Sequence, residues 1–103
     1  MGMNRQMMRQ LQKMQERVLK AQEDLQTRSV EGTAGGGAVS VRLSGGLKVE
    51  ALKIDPEVLD PDDVEMLEDL VTAALNEALE KVQALQAEHM ASVAGRLGLP
   101  GLP

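Results

Sequence analysis

The stretch Val30 to Asp55, VEGTAGGGAVSVRLSGGLKVEALKID, is the one part of the chain with strand character, and it separates two segments that each read as a long helix. That order constrains the fold more than anything else in the sequence. A short glycine-rich β centre cannot cover two long amphipathic helices. A helix must therefore break, project, or bury its face against something else. Within the centre, Ala38-Val39-Ser40-Val41-Arg42-Leu43 alternates with period two and puts Val39, Val41 and Leu43 on one face. Ser44-Gly45-Gly46 predicts a hairpin turn, because glycine permits the positive φ that tight hairpins need. Leu47 to Ile54 reads as the next strand. Its alternation slips at Ala51-Leu52, which marks either a bulge or a strand buried on both faces. With Arg28-Ser29-Val30-Glu31 as a short opening strand, residues 28–55 form an antiparallel meander.

The first flanking segment, residues 4–27, contains no Gly or Pro and is rich in good helix formers. Met7, Leu11, Met14, Val18, Ala21 and Leu25 recur at alternating spacings of four and three, a seam of heptad type. On a wheel of about 100° per residue, Arg5, Arg9, Lys13, Arg17 and Lys20 fall within roughly 120° on the opposite face, with Glu16, Glu23 and Asp24 on or beside it. In the second segment, residues 61–94, no Gly or Pro follows Pro61. Asp60 is the expected N-cap, Pro61 the first helical residue, and Val64, Leu67, Val71, Ala74, Leu75, Ala78, Val82 and Leu85 the apolar face. Gly95 is the expected stop, and residues 95–103 are expected to be a mobile tail. Such a helix runs to roughly 50 Å. A compact chain of this size has a radius of gyration of about 13 Å. The helix must break or project.

At 103 residues the chain is expected to be one domain, with a thin core, because it has no Phe, Tyr or Trp. The absence of cysteine excludes disulfides, thiol nucleophiles and Cys-based zinc sites. No apolar run is long enough to span a membrane, and no signal peptide is read at the N-terminus. The formal net charge of −5 argues against a polyanionic partner only while the chain is treated as uniform. Residues 1–28 carry six Lys/Arg and three acids, whereas residues 29–103 carry five Lys/Arg and thirteen acids.

Catalytic chemistry is not apparent. His89 is the sole histidine, placed late in the second helix and expected at a solvent-facing or capping position. No serine has a nucleophile-elbow setting. The run Gly32 to Gly37 is followed by a strand and not by Gly-Lys-Ser/Thr and a helix, so it is not a phosphate loop. Those glycines permit a sharp turn or the close approach of another backbone. The acids Asp55, Glu57, Asp60, Asp62, Asp63 and Glu65 lack the order of a calcium loop and read as cap and turn residues. The basic stripe has two readings: a solvated face paired locally with acids such as Glu16, or a surface for duplex phosphates, which needs no aromatic residues.

Four pieces in order, MMRQLQKMQERVLKAQEDL, VEGTAGGGAVSV, KIDPEVLDPDDVEMLEDLVTAALNEAL and LGLPGLP, make the chain resemble the YbaB/EbfC family of bacterial nucleoid-associated proteins along nearly its whole length. The resemblance implies an α+β fold, an α-β-β-β-α protomer with a small antiparallel sheet between two long helices. It further implies a tweezer-like homodimer joined through its β centre, which binds duplex DNA in the cytoplasm, at the nucleoid, and affects its organisation and gene expression. No enzyme activity, cofactor, small-molecule substrate or membrane is expected. Phosphate contacts are placed on Arg5, Arg9, Lys13, Arg17 and Lys20, with little sequence preference. The dimer centre is placed on Gly35, Gly36, Gly37, Val39, Val41, Leu43 and Val49. The alternative is a helical protein-interaction module that docks a partner on the seam and does not bind DNA.

Overall fold

The computed structural model describes residues 4–96. Helix α1 (Arg5–Thr27) is followed by strands β1 (Ser29–Ala34), β2 (Val39–Ser44) and β3 (Val49–Ile54), a 3-10 turn (Pro56–Val58) and helix α2 (Val64–Arg96). The three strands form an antiparallel sheet in sequence order. This is the expected α-β-β-β-α chain, and α2 neither breaks nor folds back. The molecule measures 73 × 25 × 19 Å with a radius of gyration of 20.1 Å. Of the two outcomes left open by the length of α2, to break or to project, the structure takes the second. The tail beyond Arg96 lies outside the described residues.

Each element has a local cause. Asn4 caps α1, its side-chain oxygen accepting from the Met7 amide at 2.7 Å. At the other end Arg28 takes an extended conformation and leads straight into β1. Helix α2 begins three residues later than the Asp60-Pro61 reading placed it. The Asp60 carboxylate accepts from the Asp62 amide at 2.9 Å, and the Asp60 carbonyl accepts from the Asp63 amide at 3.0 Å, so Asp60 closes a turn. Asp63 is the cap, accepting from the Met66 amide at 3.2 Å. Gly95 lies within α2 and does not stop it.

The core sits between α2 and the first two strands. Val39, Val41 and Leu43 of β2 are buried on one face, as their alternation requires, against the row Ala74, Ala78 and Val82 of α2. These helix residues are four apart and form one ridge. Two of the three are alanine, so the α2 backbone comes down onto β1 at Gly32. A Cβ at Gly32 would lie 2.1 Å from the Ala74 carbonyl oxygen and 2.5 Å from the Ala78 amide nitrogen.

The slip in β3 is a bulge. Leu43 pairs with Val49 and Arg42 with Ala51, leaving Glu50 as the extra residue. The consequence is that Val49, Leu52 and Ile54, opposite Leu43, Val41 and Val39, share the core-side face of the sheet. Helix α2 lies over β1 and β2 with at most marginal contact to β3. Ile54 packs at the core margin, while Val49 and Leu52 remain 55% and 50% exposed.

The two hairpins use glycine differently. Between β1 and β2, Gly35, Gly36 and Gly37 take φ of 63°, 68° and 93°, three left-handed residues in a row that only glycine adopts readily. Between β2 and β3 the left-handed residue is Leu47, at φ 64°, and neither Gly45 nor Gly46 has positive φ. Gly45 is needed for space, since a Cβ there would meet the Leu25 carbonyl oxygen of α1 at 2.2 Å.

These roles predict unequal costs. Gly32→Ala pushes a methyl group into helix backbone and is expected to destabilise by about 3 kcal/mol or more. Gly36→Ala, which meets no atom within 4 Å, is expected to cost only the left-handed penalty, about 1 kcal/mol. Urea unfolding of both variants at one protein concentration measures the difference, and equal costs would contradict the close-contact assignment.

Candidate nucleic-acid interface

Among the described residues, the packing of helix α1 on α2 is centred on the C-terminal part of α1. Val18, Ala21 and Leu25 form an apolar crevice with Gln86, Met90 and Val93 of α2. Ala21 is 6% exposed, and the seam opens from there towards the N-terminus, where Met14, Leu11 and Met7 are exposed. Thirteen residues, Arg5 to Arg17, therefore extend about 20 Å beyond the packed root.

That free length carries Arg5, Arg9, Lys13 and Arg17 of the basic stripe, and Lys20 stands at the packed root. Arg5, Arg9, Lys13, Arg17 and Lys20 are all exposed. Among the described residues the ion pairs are Arg42–Glu50 at 3.6 Å and Lys81–Glu77 at 3.1 Å, and neither involves α1. The stripe is thus not paired with Glu16, and its charge is open to solvent. Successive members four residues apart stand about 6 Å apart along the axis. Phosphates of one DNA strand advance about 3.4 Å each along the duplex axis, so the step is on the scale of the phosphate repeat.

The residues placed at a dimer centre separate into three groups. Val39, Val41 and Leu43 lie inside the protomer's own core and present no side chain outward. Gly35, Gly36 and Gly37 form the exposed β1–β2 turn, with open space around Gly36 and Gly37. Val49 is on the uncovered part of the sheet, joined there by Leu52, with Leu47 exposed in the adjacent turn. The sequence reading did not single out Leu47 or Leu52 as interface residues. The slip at Ala51-Leu52 was the signal for Leu52, because a bulge returns residues 49, 52 and 54 to one face.

His89 occupies neither a solvent-facing nor a capping position. Its Nε2 donates to the Ala21 carbonyl of α1 at 2.5 Å. A small open hollow beside it is lined by Asp24, Arg28, Glu88 and Ser92. Among the described residues no group of His, Cys, Asp and Glu is arranged to hold a metal ion, and no helix is long and apolar enough to cross a membrane.

Comparison with known proteins fits this arrangement. Residues 1–97 match the family described as the YbaB/EbfC DNA-binding family. A nucleoid-associated protein of Pelotomaculum thermopropionicum is 51% identical over 96 residues, covering 93% of this chain and 91% of its own. One from Chloroflexus aurantiacus is 50% identical over 98 residues, covering 95% of this chain and 96% of its own. The crystal structure of an uncharacterized protein, HP0035, from Helicobacter pylori superposes with a TM-score of 0.69 at 25% identity, over 84% of this chain and 92% of that one.

The attachment of α1 can be tested apart from any ligand. Gly45→Ala forces a methyl group against the Leu25 carbonyl and is expected to loosen the α1 root at a cost of about 1–3 kcal/mol. Amide exchange should then lose protection over residues 18–25 while β2 keeps its own. Retained protection in α1 would show that the contact tolerates a side chain.

Proposed function

The chain belongs to the YbaB/EbfC DNA-binding family, and on that premise we propose that it is a non-enzymatic, nucleoid-associated protein that binds duplex DNA as a homodimer through α1. The observation that carries the assignment to α1 is the row of five exposed basic residues, without ion-pair partners among the described residues, on a helix that projects from the body. Lysine and arginine on phosphates neutralise charge and release counterions, whatever the base sequence. Without aromatic residues there is no stacking platform for unpaired bases. Little sequence preference follows, together with effects on DNA conformation and, through them, on nucleoid organisation and gene expression. The relatives named nucleoid-associated proteins support a location at the nucleoid.

Dimerisation is proposed at the β centre, on the side that α2 leaves open. Val49, Leu52 and Leu47 supply apolar area, and β3 is an edge strand whose outer backbone groups are unpaired within the sheet. Val39, Val41 and Leu43 lie beside this surface on the same face of the sheet, covered by α2, and Gly35, Gly36 and Gly37 shape the neighbouring turn. A dimer carries two α1 prongs, and thus two basic stripes for one duplex.

A second reading has its own observation. The seam Met7, Leu11 and Met14 is exposed on the face opposite the stripe and could dock a protein partner. The two readings separate in a salt titration. Removing two phosphate contacts per protomer with Arg9→Ala and Lys13→Ala should lower the magnitude of the log K against log salt slope by about 2 for one engaged prong and about 4 for two. An unchanged slope in a folded protein would leave the seam as the functional surface. For the dimer, Leu52→Asp is expected to reduce the sedimentation mass from twice 11.1 kDa to 11.1 kDa. A wild-type mass of 11.1 kDa would itself refute the assembly.

A further inference from the structure

We infer that His89 is a positioning residue that fixes the direction of α1, and thereby the registration of its basic stripe on DNA. This deepens the proposed function and rests on α1 being the DNA-contacting prong.

Helix α1 is joined to β1 through Arg28 alone. Its packing on α2 is otherwise made by Val18, Leu25, Met90 and Val93, aliphatic and thioether groups whose contacts are non-directional. Such contacts resist separation but tolerate sliding and rotation of one helix on the other. Among the described residues, the hydrogen bond from His89 to the Ala21 carbonyl is the one side-chain hydrogen bond that joins α1 to α2, and no ion pair joins them. Because a carbonyl oxygen only accepts, Nε2 must carry the proton, and the ring is held in one orientation. The alanine side chain keeps the approach open. A second anchor stands beside this one, where Gln86 donates to the Gly45 carbonyl at 3.0 Å. It fixes α2 to the β2–β3 turn, against which the Leu25 end of α1 rests; the turn locates that end of α1, and the direction of the helix from Ala21 onwards falls to His89.

The lever arm gives this bond its consequence. Arg5 lies sixteen residues from Ala21, about 24 Å along the helix. A tilt of about 10° at the root moves Arg5 by about 4 Å, more than the roughly 3.4 Å by which a strand advances along the duplex axis per phosphate. The stripe then loses its match to successive phosphates although no basic residue has changed. In a dimer the error occurs on both prongs.

The chain has no cysteine, so Gln12→Cys on α1 and Glu80→Cys on α2 place a pair of spin labels at exposed positions outside the stripe. Distances are measured in the full chain, diluted with unlabelled protein and without DNA. His89→Leu and His89→Phe remove the donor but retain bulk, and the Ala21 carbonyl keeps its helical partner, so whichever variant folds serves. His89→Gln restores a donor. The expected result is a narrow distribution for the unsubstituted residue and for Gln, and at least a twofold broader one for Leu or Phe. Duplex affinity should fall about tenfold for Leu or Phe and recover for Gln, with helix content and sedimentation mass unchanged. An unbroadened distribution in the donorless variants overturns the latch, as does a Gln variant as broad as they are. Broadened distances with unchanged duplex affinity would instead overturn α1 as the prong, and with it the positioning role.

Discussion

The contact of α2 with Gly32 is the constraint on which the rest of the structure depends. A core without aromatic residues has little area with which to hold a helix of 33 residues. It compensates by proximity. With glycine on the strand and Ala74 and Ala78 on the helix, the two backbones meet, and many weak dispersion contacts form at short range. The same proximity fixes the lateral position of α2. Seated over β1 and packed on the inner face of β2, it cannot also cover β3, so Val49 and Leu52 are left outside a core whose face they share. The uncovered apolar strip is thus a consequence of how tightly the helix sits, not a separate device.

A second glycine carries the same logic to the other helix. Gly45 lets the β2–β3 turn lie against the end of α1, as Gly32 lets β1 lie against α2. The turn accordingly places its left-handed residue at Leu47, although a glycine would have been easier there. Space under Leu25 outweighs conformational ease. Both helices are therefore referenced to the sheet through main-chain contacts, which do not adjust by changing rotamer, while their far ends remain free.

Much of this fold was legible in the sequence where one local rule decided the outcome. The helix-forming composition after Asn4, the alternation Val39-Val41-Leu43 and the run of residues 62–94 without Gly or Pro each point to one kind of element, and the element order followed. Where several local outcomes suited the same residue types, or where tertiary contact decided, the result was not legible. Asp60 and Asp63 are equally good caps by composition, and the hydrogen bonds of Asp60 into its own turn decide between them. Gly32, Gly35 and Gly45 look alike in sequence, yet one admits a helix, one supplies positive φ and one admits a carbonyl. Of the candidate site, the wheel gave the five basic residues a common face, because that depends on helical period alone. It could not say that Val39, Val41 and Leu43 would be covered by the protomer's own helix. Nor could it say that His89 would reach Ala21, because that depends on how two distant segments cross.

On the proposed reading of α1, the charge distribution explains how a chain of net charge −5 can still offer a surface to phosphate. The two helices pack antiparallel, Ala21 meeting His89, so the free end of α1 lies at the C-terminal end of α2. The acids Asp60, Asp62, Asp63, Glu65, Glu68 and Asp69 gather at the N-terminal end of α2. A helix of this length separates the two regions by about 50 Å. The Debye length at physiological ionic strength is about 8 Å, so repulsion between the acids and a duplex on α1 is screened over several such lengths. On and beside the stripe, Glu16, Glu23 and Asp24 oppose five cationic side chains, with Glu88 of α2 next to Asp24. Elongation is thus an electrostatic requirement as well as a packing outcome. A compact fold of the same composition would bring thirteen acids within reach of the DNA, and the local field on α1 would no longer favour binding.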